Sequence, residues 1–202
     1  EHPVIESCEW GITNRNDSSG KNRFVGSADP SNIWKKNGKY YLLNGNLLVL
    51  RKFGSKGNGL PANDEVNVLP KDSISYQGDR LYLFESENLV DWNYLNQFYN
   101  SKREWTSKTE DNMCPSFLPL PSKPSGGKSS SKHLLLFISH NRGCQYYVGD
   151  YMNNNFYPNN HGRMSWNDNG FFAPEARIDG NGRQIMWPGG FDYRPNLLVR
   201  QS

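Results

Sequence analysis

Residues 104–151 read EWTSKTEDNMCPSFLPLPSKPSGGKSSSKHLLLFISHNRGCQYYVGDY, and the rest of the chain repeats the plan of this segment. Two adjacent acids, Glu110 and Asp111, precede a Cys-Pro step and an apolar run that is typical of a buried strand. HLLLFISH and CQYYVGDY follow as the two strands of a hairpin. Residues 121–132, rich in Pro, Ser and Gly, are expected to form a solvated tip. The segment therefore predicts three antiparallel strands, with acids before the first.

The same plan recurs on both sides of this segment. Upstream, Ile33-Trp34 starts an apolar strand, Asn37-Gly38 supplies a hairpin turn, and LYLFES at 81–86 is a further strand. Downstream, an apolar run starts at Phe171, and Asn181-Gly182 turns it back. Each hairpin follows a Pro beside or near an acid, which indicates a diverged internal repeat.

These repeats indicate an all-β architecture, because no segment spaces its apolar residues as an amphipathic helix does. Repeated sheets of about four short strands are typical of the blades of a β-propeller. We interpret residues 1–202 as part of a single propeller domain, with units at about 27–103, 104–168 and 169–202. Propellers usually have ~4–8 blades, so the chain is expected to be an internal piece of a larger one. Residues 1–26 read as irregular, and residues 51–79 as a long loop.

The composition fits a turn-rich globular protein, since the 202 residues include 19 Gly and 12 Pro and 13% are aromatic. No apolar run reaches ~18 residues, so we expect no membrane span. The net charge of +3 is small and its signs are mixed along the chain, which argues against a nucleic-acid partner. The three Cys residues suit neither a disulfide framework nor a zinc site. The first residues show no signal peptide, and the compartment and oligomeric state stay open.

Four motifs, taken in order and spacing, resemble glycoside hydrolase family thirty-two, the invertase and fructanase family of five-bladed β-propellers. The resemblance covers most of residues 25–190. The motifs are Ala28-Asp29-Pro30 followed by Ile33-Trp34, SENLVDW at 86–92, EDNMCPSFLPL at 110–120, and FFAPEARIDGNGRQIMW at 171–187.

The resemblance implies retaining hydrolysis of β-fructofuranosides such as sucrose or fructans, with a carbohydrate substrate and without a cofactor or metal. It implies that Asp29 binds sugar hydroxyls and stabilises the transition state. Met113 stands where the family has its acid/base Glu, so we assign that role to Glu110, with Asp111 as the alternative. Adjacent acids repel each other, and one of them is therefore expected to keep its proton.

Three further residues, Cys114, Glu175 and Trp34, are predicted to contact the substrate. Structural alternatives stay open: an Asp-Pro turn at Asp29, a solvated loop pair at Glu110 and Asp111, and an ion pair of Glu175 with Arg177 or Arg183. His140 and His161, near strand ends, are interpreted as hydrogen-bonded structural residues.

The family's Asn-Asp-Pro-Asn-Gly segment, which holds the nucleophile, has only a weak echo in NDSSG at 16–20. We therefore expect the 202-residue chain alone to be inactive. Two other functions remain possible from the sequence. One is an inverting propeller glycosidase acting on arabinosides or xylosides, and the other is a propeller that binds carbohydrate without cleaving it.

Overall fold

A computed structural model describes residues 12–26, 32–54, 77–123, 128–164 and 171–190. Within these ranges the chain forms antiparallel strands and one short helix, α1 (Leu48–Phe53). The strands are β1 (Ile12–Asn16), β2 (Asn22–Gly26), β3 (Ile33–Lys36), β4 (Lys39–Asn44), β5 (Tyr82–Ser86), β6 (Asn93–Gln97), β7 (Met113–Pro121), β8 (Ser129–Ser139), β9 (Gly143–Met152), β10 (Asn155–Arg163), β11 (Phe171–Ile178) and β12 (Gln184–Gly190).

The strands form two four-stranded sheets, β3-β4-β5-β6 and β10-β9-β8-β7, and two hairpins, β1-β2 and β11-β12. The turn between β3 and β4 shows why the sequence folds this way locally. Asn37 and Gly38 both adopt left-handed backbone angles, with φ of 51° and 83°, and the residues that flank them, Lys36 and Lys39, pair directly. This is the geometry that an Asn-Gly turn favours in a tight hairpin.

Strand β8 shows how the apolar runs build the core. Leu135 and Phe137 belong to a cluster shared with the first four-stranded sheet, whereas Leu134 and Leu136 belong to a cluster shared with β11. Successive side chains of a strand point to opposite faces, so a strand buried on both faces needs a continuous apolar run. LLLF at 134–137 is such a run.

The sheets therefore stack face to face in chain order. Val25 of β2 packs against Leu42 and Phe84 of the first four-stranded sheet. Ala176 and Ile178 of β11 pack against the outer face of the second. The first strands of consecutive units also lie side by side, which is the arrangement of inner strands around a propeller axis.

Hydrogen bonds join these inner strands directly. The backbone N–H of Phe117 on β7 donates to Asn32 Oδ1, just before β3, at 2.6 Å. Ser116 Oγ, also on β7, accepts from the backbone N–H of Ala176 on β11 at 3.2 Å. The chain is all-β and forms part of a β-propeller, and the fold class that the sequence predicts is confirmed.

Two local expectations are wrong. Residues 1–26 were expected to be irregular, but β1 and β2 pair from Ile12↔Gly26 to Asn16↔Asn22. The loop expected at 51–79 is partly helical, because α1 extends to Phe53. A helix of six residues is too short to show an apolar period, which is why the pattern missed it. Among the described residues, no helix is long and apolar enough to cross a membrane.

Candidate functional site

Three consecutive polar residues precede strand β7, and all of them are buried: Glu110 is 1% exposed, and Asp111 and Asn112 are 0% exposed. The alternative that Glu110 and Asp111 form a solvated loop pair is therefore wrong. Buried polar groups require hydrogen-bond partners. Each of the three side chains finds its partners in a different direction, so this short segment connects most of the second four-stranded sheet.

Glu110 contacts the two strands of its sheet that are farthest from β7. Its carboxylate accepts hydrogen bonds from Arg163 Nη1 at 2.9 Å and Nη2 at 3.0 Å, and from Gln145 Nε2 at 2.8 Å. The backbone N–H of Ser107 donates a further bond at 2.8 Å. A carboxylate held by a two-point guanidinium contact is strongly bound in the ionised form.

These contacts favour the ionised form of Glu110, whereas an acid catalyst must carry a proton. Burial alone raises the pKa of Glu110, but the hydrogen bonds from Arg163, Ser107 and Gln145 outweigh burial and lower it. The expectation that repulsion between adjacent acids keeps a proton on one of them is therefore wrong for Glu110. A general acid needs a raised pKa near neutral pH, and this geometry opposes that role for Glu110.

Hydrogen bonds between the two chain segments continue beyond the last paired residues of β7 and β8, because Asp111 contacts His140. Met113 pairs with Ile138, and two positions further out Asp111 meets His140. Asp111 accepts from the backbone N–H of His140 at 2.9 Å, and its other oxygen lies 2.6 Å from His140 Nδ1. Asp111 has no exposed side-chain surface, whereas 15% of the His140 side chain is exposed. A buried carboxylate thus orients a partly accessible imidazole at the start of the inner strand.

Asn112 and a buried aspartate fix the segment from the other side. Asn112 Nδ2 donates to the hydroxyl of Tyr99 at 2.8 Å, and that hydroxyl donates to Asp79 at 2.7 Å. Asp79 also accepts from Thr106 at 2.6 Å and from Tyr147 at 2.9 Å. Burial, followed by the charge of Asp79, raises the pKa of Tyr99 well above its usual value. Both phenols therefore stay protonated donors, and the segment before β7 is rigidly held.

A β-bulge lies directly at the Cys-Pro step. The register of β7 shifts between Met113 and Ser116, Cys114 has a φ of 47°, and Pro115 is buried. The observed bulge follows Met113, and Glu110 is directed towards β9 and β10. Met113 packs against Ile138.

The other predicted site residues are dispersed. Asp29 lies outside the described residues. Trp34 packs into the core beside Tyr41 and Phe117, with ring centroids 5.6 Å away in each case, so its ring is engaged by other aromatic residues rather than open to a sugar. Cys114 is partly buried at the bulge.

Glu175 is exposed and pairs across the hairpin with Trp187, of which 49% is exposed. The alternative of an ion pair with Arg177 or Arg183 is not found among the described residues, where the Arg183 guanidinium binds Asp179 at 2.7 Å. His161 Nε2 donates a hydrogen bond to Gln145 Oε1 at 2.9 Å, and the His161 ring stacks on Trp105. Its interpretation as a structural residue agrees with these contacts.

Sequence reasoning missed Arg163 as the partner of Glu110 and His140 as the partner of Asp111. Arg163 lies 53 residues from Glu110 and carries no local motif. His140 could have been found from the register, since it follows β8 where the acids precede β7. In the described parts of the chain, no group of three His, Cys, Asp or Glu side chains is arranged to hold a metal ion.

Comparison with known proteins agrees with the fold. The chain is 15% identical to fructan 1-exohydrolase IIa of Cichorium intybus, with a TM-score of 0.51, covering 88% of this chain and 36% of that one. It is 10% identical to an exo-β-1,3-galactanase of Phanerochaete chrysosporium, with a TM-score of 0.52, covering 90% of this chain and 36% of that one. It is 19% identical to an α-L-arabinofuranosidase of Clostridium thermocellum, with a TM-score of 0.50, covering 79% of this chain and 46% of that one.

The chain thus spans between about a third and a half of the length of these solved structures, and at such low identity the likeness concerns the fold alone. No curated protein sequence matches the chain. The sequence model of the glycosyl hydrolases family 32 N-terminal domain matches residues 70–194, which include Glu110, Asp111, Met113 and both strands of the His140 turn. Because this match covers more than half of the chain, the protein belongs to the glycosyl hydrolases family 32 N-terminal domain family.

Proposed function

We propose that the protein is a glycosidase that hydrolyses β-fructofuranosidic bonds, as in sucrose or fructans, with retention of configuration. Membership of the glycosyl hydrolase family supports glycosidase chemistry in general. The 2.6 Å contact between Asp111 and His140 at the start of β7 carries the more specific part of the proposal. The resemblance implies an acid at the position of Met113. The pair of Asp111 and His140 lies two positions from the paired Met113 and Ile138, and 15% of the His140 side chain is exposed.

The contacts of the two acids favour Asp111 over Glu110. Glu110 is committed to Arg163, whereas Asp111 is paired with a ring that itself can gain and lose a proton. Asp111 is fully buried, so it acts through His140 as a positioning residue. This assigns His140 a catalytic role in place of the structural one that the sequence suggests. The Asp111 carboxylate accepts a hydrogen bond from Nδ1–H, and the imidazolium Nε2 donates its proton to the glycosidic oxygen as the bond to the fructosyl carbon breaks.

Retention also requires a carboxylate that attacks the fructosyl carbon and forms a covalent fructosyl-enzyme. Water then attacks the same carbon, gives its proton to Nε2 of His140 and releases fructose and the free carboxylate. The resemblance implies Asp29 for stabilising the transition state, and residues 27–31 lie outside the described ranges. The nucleophile is expected from a part of the protein that the structure does not describe.

The test is hydrolysis of sucrose and inulin by the natural full-length protein, with the first sugar anomer identified by NMR. We expect the retained anomer, and a loss of kcat of about 10²–10⁴-fold in Asp111→Asn and His140→Gln. The basic limb of the kcat/KM profile should disappear in His140→Gln. His161→Gln, which changes another partly buried histidine, is the matched control and should keep kcat. The inverted anomer, or cleavage of arabinosides or xylosides in place of fructosides, would contradict the proposal.

A second function is favoured by a different observation. Met113 occupies the position before Cys114-Pro115, and of the two acids that precede it Glu110 is paired with Arg163 and Asp111 is fully buried. A propeller with such a site could bind fructosides without cleaving them. That function predicts measurable affinity for fructo-oligosaccharides, no hydrolysis by the full-length protein, and affinity unchanged by Asp111→Asn.

A further inference from the structure

A cleft of about 410 Å³ opens on the outer side of the first four-stranded sheet. Its walls are the turn after β1, residue Arg23 on β2, and parts of β5 and β6. None of the described residues that line it belongs to β7–β10 or to the segment that carries Glu110 and Asp111. Cavities of ~300–1,000 Å³ are typical of small-molecule sites, so this cleft is large enough for a ligand.

The first wall is a turn held by one carboxylate. Asp17 Oδ1 accepts from the backbone N–H groups of Ser19 at 2.9 Å and Lys21 at 3.0 Å, and Oδ2 accepts from Arg23 Nε at 2.9 Å. Both oxygens of Asp17 are therefore engaged inside the turn. Arg23 uses only Nε in this pair, and its two terminal nitrogens have no partner among the described residues.

A second guanidinium, that of Arg80, also lines the cleft. Arg80 Nε donates to the carbonyl of Gln77 at 3.0 Å, and Nη1 donates to Gln97 Oε1 at 2.7 Å. Gln97 is itself fixed, because its Nε2 donates to the carbonyl of Tyr99 at 2.7 Å. Nη2 of Arg80 has no partner within the part of the chain that is described. Burial lowers the pKa of Arg80 and outweighs the opposing influence of Tyr82, so an anionic ligand that favours the charged guanidinium would be favourable here.

The charges of the cleft are unbalanced in one direction. Among the described residues that line it there are two guanidiniums and one carboxylate, that of Asp17, whose two oxygens already accept hydrogen bonds. The remaining polar groups include the hydroxyl of Ser18 and the carboxamide of Asn96, which suit sugar hydroxyls. A guanidinium recognises a carboxylate through paired N–H donors, which gives both affinity and orientation.

We propose that this cleft binds an acidic sugar, a uronate as a monosaccharide or at the end of a saccharide chain, with its carboxylate between Arg23 and Arg80. The site is independent of fructoside hydrolysis and lies on another surface of the propeller. Binding there would hold the protein on an acidic polysaccharide while the proposed catalytic pair, Asp111 and His140, acts on a fructoside.

The experiment titrates the full-length protein with D-glucuronate, D-glucose and inorganic phosphate by calorimetry or ligand-detected NMR. We expect glucuronate to bind at least ten-fold more tightly than glucose and phosphate. Arg23→Gln and Arg80→Gln should each weaken glucuronate binding at least ten-fold. Arg142→Gln, which changes an exposed arginine outside the cleft, is the matched control and should have no effect.

Thermal melts establish that each variant is folded. Arg23 is exposed, with 47% of its side chain in solvent, so Arg23→Gln keeps the proposal testable if Arg80→Gln unfolds the protein. Hydrolysis of sucrose should be unchanged in Arg23→Gln, which separates this site from the proposed activity. Equal affinity for glucose, equal affinity for phosphate, or insensitivity to Arg23→Gln would each overturn the proposal.

Discussion

Arg163, the last residue of β10, binds both carboxylate oxygens of Glu110, with its two terminal nitrogens at 2.9 and 3.0 Å. The same guanidinium also donates to the backbone carbonyl of Trp105 at 3.0 Å. One residue of the outermost strand thereby fixes the segment that precedes the innermost strand of the same sheet. We therefore expect Glu110 to act as a structural residue, and its substitution should affect stability more than catalysis.

Glu110→Ala should lower the free energy of unfolding by about 1–3 kcal/mol, since it leaves the buried Gln145 Nε2 without its acceptor, whereas Arg163, whose side chain is 35% exposed, can bind water instead. Urea unfolding followed by tryptophan fluorescence measures the change. Glu175→Ala is the matched control, because Glu175 is an exposed acid, and it should shift stability by less than about 0.5 kcal/mol. A folded, fully stable Glu110→Ala protein that has lost hydrolysis would instead make Glu110 the acid.

The stabilisation by Glu110 should depend on pH in a defined direction. The folded-state pKa of Glu110 lies below its ordinary value of 4.5, so its contribution is present above that value and is lost as the pH falls through the folded pKa. The stability gap between the wild-type protein and Glu110→Gln should be constant from about pH 7 to 5.5 and shrink below about pH 4.5.

Burial also lowers the pKa of His161, which destabilises both proteins as the pH falls below 6.5. Only the difference between the two proteins therefore reports on Glu110. Urea midpoints at several pH values measure it, and a gap that widens on acidification would contradict the assignment.

Asp79 should be among the most sensitive positions of the described core. It is 0% exposed and accepts hydroxyl hydrogen bonds from Tyr99, Thr106 and Tyr147. We expect Asp79→Ala to cost about 3 kcal/mol or more, and Tyr147→Phe about 1.5–3 kcal/mol, since it removes one bond to a charged group. Tyr146→Phe, which changes the neighbouring tyrosine, is the control and should have little effect.

The double variant of Asp79→Ala with Tyr147→Phe should lose less stability than the sum of the two single variants, because both remove the same hydrogen bond. Strict additivity would show that Tyr147 and Asp79 do not interact in solution.

Gly149 on β9 is predicted to tolerate no side chain. A Cβ there would collide with the carbonyl oxygen of Tyr157 and lie 2.7 Å from the Cα of Pro158, both in the backbone of the paired strand β10. Gly149→Ala should therefore destabilise the protein by about 1–3 kcal/mol. Gly180→Ala is the matched control, because nothing lies within 4 Å of the position that its added methyl carbon would take, and it should be nearly neutral. Thermal melts of both variants test the contrast.

The sequence predicted those features that depend on neighbouring residues. The Asn37-Gly38 turn, the strand at 81–86 and the strand pair across His140 follow from turn chemistry and apolar runs, and the structure contains all of them. It could not predict contacts that depend on which side chains meet after folding. The hydrogen bond from Phe117 to Asn32 spans 85 residues, and no local pattern marks it.

The candidate site was only half predictable for the same reason. The acids before Cys114-Pro115 are visible in the sequence, but their protonation depends on partners. Glu110 meets a guanidinium and Asp111 meets an imidazole, and these opposite environments separate two neighbouring carboxylates into different chemical roles. The contact of Trp34 with the sugar stays a prediction, since alternation alone does not show that its ring packs beside Tyr41 and Phe117.

The Cys114-Pro115 irregularity has a counterpart in β11, where Ala173 has a φ of 45° and precedes the buried Pro174. β7 is the edge strand of its sheet, and Pro lacks the N–H with which an edge recruits another strand. A kinked backbone with a missing donor is also how natural proteins keep exposed edges from joining one another. The Cys114-Pro115 and Ala173-Pro174 steps therefore disfavour the addition of another strand to β7 and β11, and with it aggregation.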